Sequence, residues 1–227
     1  LPSIAGGHLL KEIKNLNLFL NNSKKPNTAI IGGSKISTKI KLIDNLIEYF
    51  DNIIIGGAMA NTFLLAKGLD VGKSLVEKNF ISLANEMISK CKNYKCNLIL
   101  PTDVVCANSL KDKNSIRYCK VENVLPDQMI LDIGSKSIHT IDSILSKSSM
   151  ILWNGPLGAF ECEPFNHATI EIANSIKKNS KILNISTLAG GGDTVSAIKM
   201  AKAEKSFTYI STAGGAFLEW LEGKESP

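Results

Sequence analysis

Several residues in this sequence sit at spacings suited to handling a phosphate. Gly190-Gly191-Gly192 runs straight into Asp193 and Thr194. Glycines without Cβ atoms let backbone N–H groups close on an anion, and a helix starting there adds unpaired donors and the positive end of its dipole. Asp193 stands where a carboxylate can cap that helix or hold a metal that accompanies a nucleotide. A tight turn with an acidic cap accounts for the same residues. Lys35 and Lys39 are four apart after Gly32-Gly33; in helical geometry both ammonium groups project to one side and could neutralise a phosphoryl group in transit. Two ordinary surface lysines have the same spacing. Glu161 and Glu163 could bond a ribose or face water. His8, His139 and His167 lie far apart and suggest no nucleophile–base set. That gap suits phosphoryl transfer, in which a protein mainly positions groups and neutralises charge.

Two other patterns are near misses. Gly68 and Gly72 precede Lys73-Ser74, but three residues separate them where a P-loop has four, and helix-like Leu64-Leu65-Ala66-Lys67 stands where a strand is needed. The segment reads as a loop. The dinucleotide pattern G-x-G-x-x-G fails because Val195 falls where its third glycine belongs, which disfavours a dehydrogenase-like domain.

The composition sets outer bounds. With 227 residues, 44% of them hydrophobic, the chain can bury one large α/β core, and no Pro/Ser/Gly-rich linker divides it. It contains no run of eighteen apolar residues and no charged-then-apolar leader, so neither a membrane span nor a signal peptide is expected. The five cysteines are odd in number and irregularly spaced, as expected for free thiols in a reducing cytoplasm. Cys91 and Cys96 make a poor zinc half-site. The net charge of +5 is spread along the chain rather than gathered into a nucleic-acid stripe. Arg117 is the single arginine, which is too few for bidentate clamping of anionic substrates.

These residues need elements to position them. Leu9, Leu10, Ile13, Leu16 and Leu20 predict an amphipathic helix over 7–21. Thr28-Ala29-Ile30-Ile31 is an apolar strand of the kind covered on both faces, followed by Gly32-Gly33 and a helix carrying Ile40, Ile43, Leu46, Ile47 and Phe50. Ile53-Ile54-Ile55, Gly56-Gly57 and a helix through Ala66 repeat the pattern. A helix over 79–92 leads to strand Asn97-Leu98-Ile99-Leu100. Residues 102–134 are less regular, with short strands at Val104-Val105 and Ile116-Arg117-Tyr118. A helix around Ile138, Ile141, Ile144 and Leu145 precedes strand Met150-Ile151-Leu152-Trp153, the turn from Asn154 to Gly158, and a helix over 166–177. Ile182-Leu183-Asn184-Ile185 is expected as the strand before the glycine run, with Val195, Ile198 and Met200 as the buried face of the helix after it. Strand Phe207-Thr208-Tyr209-Ile210, the turn at Gly214-Gly215 and a helix over 216–221 close the chain. In an open parallel sheet the glycine turns share one edge, so five of them should line one cleft for a nucleotide or phosphorylated ligand.

Taken together, Gly32-Gly33-Ser34-Lys35-Ile36-Ser37-Thr38-Lys39, Gly56-Gly57-Ala58-Met59-Ala60-Asn61-Thr62-Phe63, Trp153-Asn154-Gly155-Pro156-Leu157-Gly158-Ala159-Phe160-Glu161, Gly190-Gly191-Gly192-Asp193-Thr194 and Ser211-Thr212-Ala213-Gly214-Gly215 strongly resemble the phosphoglycerate kinases. The match runs in family order from the first helix to Glu222-Gly223-Lys224, and Val71-Gly72-Lys73-Ser74-Leu75 resembles a family loop. The resemblance implies a three-layer αβα sandwich with a Rossmann-like, mainly parallel sheet, in which 1–21 is an interdomain-type helix and 22–227 the nucleotide-binding domain. It implies reversible phosphoryl transfer between 1,3-bisphosphoglycerate and ADP, giving 3-phosphoglycerate and ATP, with Mg2+ accompanying the nucleotide. Lys39, with Lys35 beside it, and the N–H groups of Gly191, Gly214 and Gly215 would face the transferred group. Gly33, Asn154, Pro156, Gly158, Glu161, Gly191, Gly192 and Thr194 would bind nucleotide phosphates and ribose, Gly57 and Leu75 the base, and Asp193 the metal.

Two departures accompany the resemblance. Ala58 and Ala213 replace family glycines, at a strain of about 1 kcal/mol each if their φ is positive. The arginine-rich triose site of the family's N-terminal domain has no counterpart, so the chain is expected to be the nucleotide half of a cytoplasmic, monomeric enzyme, nearly inactive alone and with no nucleic-acid or membrane partner. A non-catalytic nucleotide-binding module acting through a partner is the alternative.

Overall fold

The computed structural model describes residues 24–183, 185–211 and 219–223. Six strands form one parallel sheet: Asn27–Ile31 (β1), Asn52–Ile55 (β2), Asn97–Ile99 (β3), Met150–Asn154 (β7), Ser186–Ala189 (β8) and Tyr209–Ile210 (β9). Their order is β3-β2-β1-β7-β8-β9. The chain builds outward from β1 in one direction, returns to β7 on the other side of β1, and builds outward again. The reversal lies between β1 and β7, and a crevice opens beyond the carboxyl ends of strands at such a point.

Helices cover both faces: Ile40–Tyr49 (α1), Met59–Ala66 (α2) and Ile81–Asn93 (α3) on one, Ser135–Leu145 (α4), His167–Leu183 (α5) and Gly192–Met200 (α6) on the other. Successive strand side chains alternate between the two. Ala29, Ile31, Ile53, Ile55 and Leu152 pack with α1, α2 and α3, while Ile30, Ile54, Ile151 and Trp153 pack with α4, α5 and α6. This is why Ala29, Ile30 and Ile31 of β1 and Ile53, Ile54 and Ile55 of β2 are apolar in succession. Each fully buried isoleucine contributes roughly 1.5–3 kcal/mol. The result is the three-layer α/β sandwich expected from the sequence.

The irregular stretch is more ordered than its sequence suggests. Asp103–Ala107 (β4), Arg117–Lys120 (β5) and Met129–Ile133 (β6) form a separate antiparallel sheet in the order β5-β4-β6, with a bulge at Val105/Cys106. The sequence does not mark β6 as a strand, because Asp132 within it and Gly134 just after it interrupt the apolar pattern. Asp103 joins this sheet to α4, accepting from Lys136 N at 3.0 Å, Ser137 N at 2.7 Å and Ser137 Oγ at 2.6 Å.

Other boundaries need correction. Ile182-Leu183 is not strand: α5 runs on to Leu183, Ile182 is exposed, and the strand is Ser186–Ala189, whose register sets Leu188 against Leu152. Asn184 lies outside the described residues. α6 starts at Gly192 rather than Val195; it buries Thr194, Ala197 and Ile198, while Met200 is exposed. Ala58 is right-handed helical at φ −65°, so its Cβ carries none of the strain its position suggested. The expected helix over 7–21, Ala213 and the Gly214-Gly215 turn fall outside the described residues, as does the first half of the expected helix over 216–221, of which 219–221 is helical. The five cysteines are free thiols, with Cys91, Cys96 and Cys106 buried. Among the described residues no helix is long and apolar enough to cross a membrane.

Candidate functional site

Four of the five glycine turns meet at the carboxyl ends of the central strands and are tied to one another through backbone groups. Gly32 N donates to Asn154 O at 3.0 Å, Gly33 N to Pro156 O at 3.1 Å and Gly57 N to Leu157 O at 2.8 Å. Gly190 N donates to Trp153 O at 3.1 Å, and Gly155 N to Thr194 Oγ1 at 2.6 Å. At Gly57, φ is +67° and a Cβ would stand 2.5 Å from Gly33 O, so neither the conformation nor the space admits a side chain. Gly192 is the opposite case: among the described residues, its chain neighbours and its own helix backbone aside, no atom lies within 4 Å of where its Cβ would be. Packing among the described residues therefore gives no reason for glycine at the first position of α6, a place where a helix generally leaves N–H groups without intrahelical partners.

Lys39 is the centre of this arrangement. It ends a 3-10 turn, Ile36–Thr38, and immediately precedes α1. Its Nζ donates to Gly32 O at 2.7 Å, Asn154 O at 3.1 Å and Asn154 Oδ1 at 2.6 Å. Asn154 is buried, and its Nδ2 donates to Gly190 O at 2.8 Å, so one side chain joins the lysine to the glycine run. Burial pulls the Lys39 ammonium down to about 8, against the opposing charge of Asp193. The unfolded lysine titrates near 10.5. Between these values the unfolded chain holds the extra proton, so the contribution of Lys39 to stability is lowest below pH 8 and rises with pH through that window. Denaturation of the wild type and of Lys39→Met between pH 7 and 10 should show any stability difference moving in favour of the wild type as pH climbs; a pH-independent difference would contradict this burial.

Lys35 does not share a helical face with Lys39. It is extended at φ −130° and exposed, because the 3-10 turn intervenes. Gly191, at φ +95°, is the residue before α6, with Gly192 and Asp193 exposed in its first turn. Thr194 is buried and holds the Gly155 turn.

Beside the lysine lies a cavity of about 450 Å³. Gly33 and Asp193 border both: a Cβ at Gly33 would be 3.6 Å from Lys39 Nζ, and Asp193 acts on the lysine through its charge. Much of the rest of the wall is apolar, including Leu64, Val104, Leu131 and Leu157, and Gly57, Leu75, Pro156, Gly158 and Glu161 contribute to it. Leu75 stands half-exposed at its rim. The cavity thus gathers seven of the residues singled out in the sequence, and Lys39, Asn154 and Thr194 lie behind it in the hydrogen-bonded turns. Gly214 and Gly215 are outside the described residues.

Some wall residues carried no sequence signal. Residues 129–133 of β6 supply one side, among them Asp132, whose Oδ2 accepts from Ala168 N at 3.0 Å at the start of α5. Burial pushes the Asp132 carboxyl up to about 7, partly offset by that bond and one from Ile133 N. Gly158 is glycine because a Cβ there would stand 2.2 Å from Asp132 Oδ1. A carboxylate in an irregular stretch gave no hint of this. Among the described residues no group of three His, Cys, Asp or Glu is placed to hold a metal ion.

A parallel sheet reversing at its centre, glycine turns bonded to one another around that reversal and a lysine set among them beside an apolar cavity define a doubly wound α/β domain with a crevice at its switch point. The chain belongs to the phosphoglycerate kinase family: the family model described as phosphoglycerate kinase matches residues 1–224. A phosphoglycerate kinase of Brucella abortus is 47% identical and one of Zymomonas mobilis 44% identical, each over all 227 residues of this chain and 57% of the relative. The solved structure of phosphoglycerate kinase from Coxiella burnetii superposes with a TM-score of 0.90 at 38% identity, over 95% of this chain and 55% of that one. The enzyme from Pyrococcus horikoshii gives 0.79 at 27% identity, over 96% and 54%. The chain therefore spans little more than half the length of these relatives.

Proposed function

We propose that this chain is the nucleotide-binding half of a phosphoglycerate kinase, taking Mg-ADP or Mg-ATP at the cavity and glycine turns. In this reading 22–227 is the nucleotide domain and 1–21 a helix leading to the remainder of the enzyme. The reaction is reversible transfer of a phosphoryl group between 1,3-bisphosphoglycerate and ADP, in a monomeric cytoplasmic enzyme. The observation that carries it is the glycine run at the start of α6: Asn154 ties Gly190 O to the Lys39 ammonium, and among the described residues no other segment lies within 4 Å of where a Gly192 Cβ would be.

The chemistry follows from the groups present. The base and ribose take the cavity, with Leu75 and Gly57 against the base and Glu161 near the ribose. The phosphates lie toward Gly33, Asn154, Pro156, Gly158 and the first turn of α6. Lys39 neutralises charge on the transferring group, and Lys35, Gly191, Gly214 and Gly215 lie along its path. The acceptor in the ATP-consuming direction is a carboxylate, which carries no proton to remove near pH 7, so no general base is needed. Exposed Asp193 suits Mg2+, which binds through one or two carboxylates and completes its shell with phosphates and water. Bound there, Mg2+ would neutralise phosphate charge. Transfer also needs the second substrate in line and water excluded, which this half alone does not supply.

Calorimetry is expected to give micromolar-to-millimolar binding of Mg-ADP, weakened by chelation of Mg2+ and by Asp193→Asn, with little or no turnover by the chain alone. Absence of ADP binding at millimolar nucleotide would overturn the reading, and full kinase activity would overturn the assignment of the second substrate elsewhere.

A further inference from the structure

The segment around residues 75–77 touches both parts of the site. Residues of α2 hold it: Asn61 Nδ2 donates to Leu75 O at 3.2 Å, and Glu77 N donates to Thr62 Oγ1 at 3.1 Å. Asn61 and Leu75 both line the cavity. Two residues beyond Leu75, the Glu77 carboxylate reaches the other part. Its Oε2 accepts from Ser37 N at 2.9 Å and its Oε1 from Ser37 Oγ at 2.6 Å, across forty positions of sequence. Ser37 is the middle residue of the Ile36–Thr38 turn, and Lys39 closes that turn by donating its own N–H to Ile36 O at 2.8 Å. A two-pronged acceptor therefore grips the chain two residues before the buried lysine.

We infer that Glu77 is a positioning residue: it locks the Ile36–Thr38 turn, and so the seat of Lys39, to the Leu75 rim of the cavity. Loops without regular structure place side chains loosely unless a second set of bonds fixes them. The 34–38 segment has its hydroxyl and amide at Ser37 taken by this one carboxylate. Burial pushes the Glu77 carboxyl up, but the bonds from Ser37 and Ile36 and the charge of Lys35 outweigh it and hold it below its ordinary value. The group is therefore ionised near neutrality and accepts on both oxygens. The bearing on nucleotide phosphates rests on the function proposed above, whereas the bearing on Lys39 does not.

The test uses Glu77→Gln, which preserves shape but cannot accept on both arms. NMR titration of the Lys39 side chain without ligand should give a midpoint of about 8 in the wild type, moving toward 10.5 in the variant as the ammonium leaves its seat. Calorimetry should show ADP weakened by about tenfold and adenosine, which has no phosphate, by less than about twofold. Should Glu77→Gln fail to fold, Ser37→Ala removes one prong and should move both readouts the same way by less. An unchanged Lys39 midpoint in a folded variant overturns the inference, as does equal weakening of ADP and adenosine. If the wild type binds no ADP, the nucleotide reading falls and the Lys39 titration alone decides the positioning role.

Discussion

Lys39→Ala is expected to weaken Mg-ADP binding by about tenfold or more, to leave adenosine binding nearly unchanged, and to lower phosphoryl transfer by about a hundred- to a thousandfold when the rest of the enzyme is supplied. The three acceptors around its Nζ explain the size of the effect. The ammonium is held in place and largely removed from water, so its charge is fixed at the site; with all three N–H donors engaged, a phosphate takes one of them by displacing a protein acceptor. In a site of low dielectric its charge acts more strongly than that of an exposed lysine. Lys35→Ala, altering an exposed side chain, should have the smaller effect on binding. Equal effects of the two, measured by calorimetry on ADP and adenosine and by coupled assay of the complemented enzyme, would remove Lys39 from its proposed place.

Gly32→Ala is expected to be the most damaging single methyl group near the site. Its Cβ would stand 1.9 Å from Pro156 O and 2.8 Å from Gly155 O, where β1 and β7 deliver their turns against each other. Backbone on both sides cannot yield as a side-chain end would, so a destabilisation of about 3 kcal/mol, at the upper end for overpacking, is expected together with loss of ADP binding. Gly192→Ala is the informative contrast. Its Cβ meets no other segment within 4 Å among the described residues, so the fold should tolerate it or gain slightly from the better helix former, while ADP affinity falls. Chemical denaturation and calorimetry on the two variants separate glycines kept for packing from a glycine kept for a ligand. A Gly192→Ala protein with wild-type affinity would leave that position without its proposed purpose.

The errors in reading the sequence have physical causes. Ile182-Leu183-Asn184-Ile185 has the composition of a strand, but the stripe Ala168, Ile172, Ala173 and Ile176 had already committed the segment to helix, and α5 carries on to Leu183. A short apolar run does not by itself choose between the two. Lys35 and Lys39 were paired through a helical spacing that holds only within a helix, and a 3-10 turn lies between them. β6 escaped because a strand walled by a cavity on one side tolerates a carboxylate that a fully packed strand would not.

The sequence alone determined the class of fold and that its glycine turns gather at one edge of the sheet. Continuous apolar strands of the kind covered on both faces, each feeding a glycine turn, leave few arrangements other than a parallel sheet with its turns on one edge. Those signals are local, written within a dozen residues of one another. Only the tertiary structure decided which lysine is drawn in among the turns, which glycines are kept for backbone contact, that Asp132 and Asn61 line the cavity, and that Ser37 meets Glu77. Each of those facts is a distance between segments tens of residues apart, such as Lys39 to Asn154 or Ser37 to Glu77, and nothing in the residue types encodes it. Burial and hydrogen-bond geometry are properties of the assembled sheet edge, so they appear only when the two halves of the sheet meet at β1 and β7.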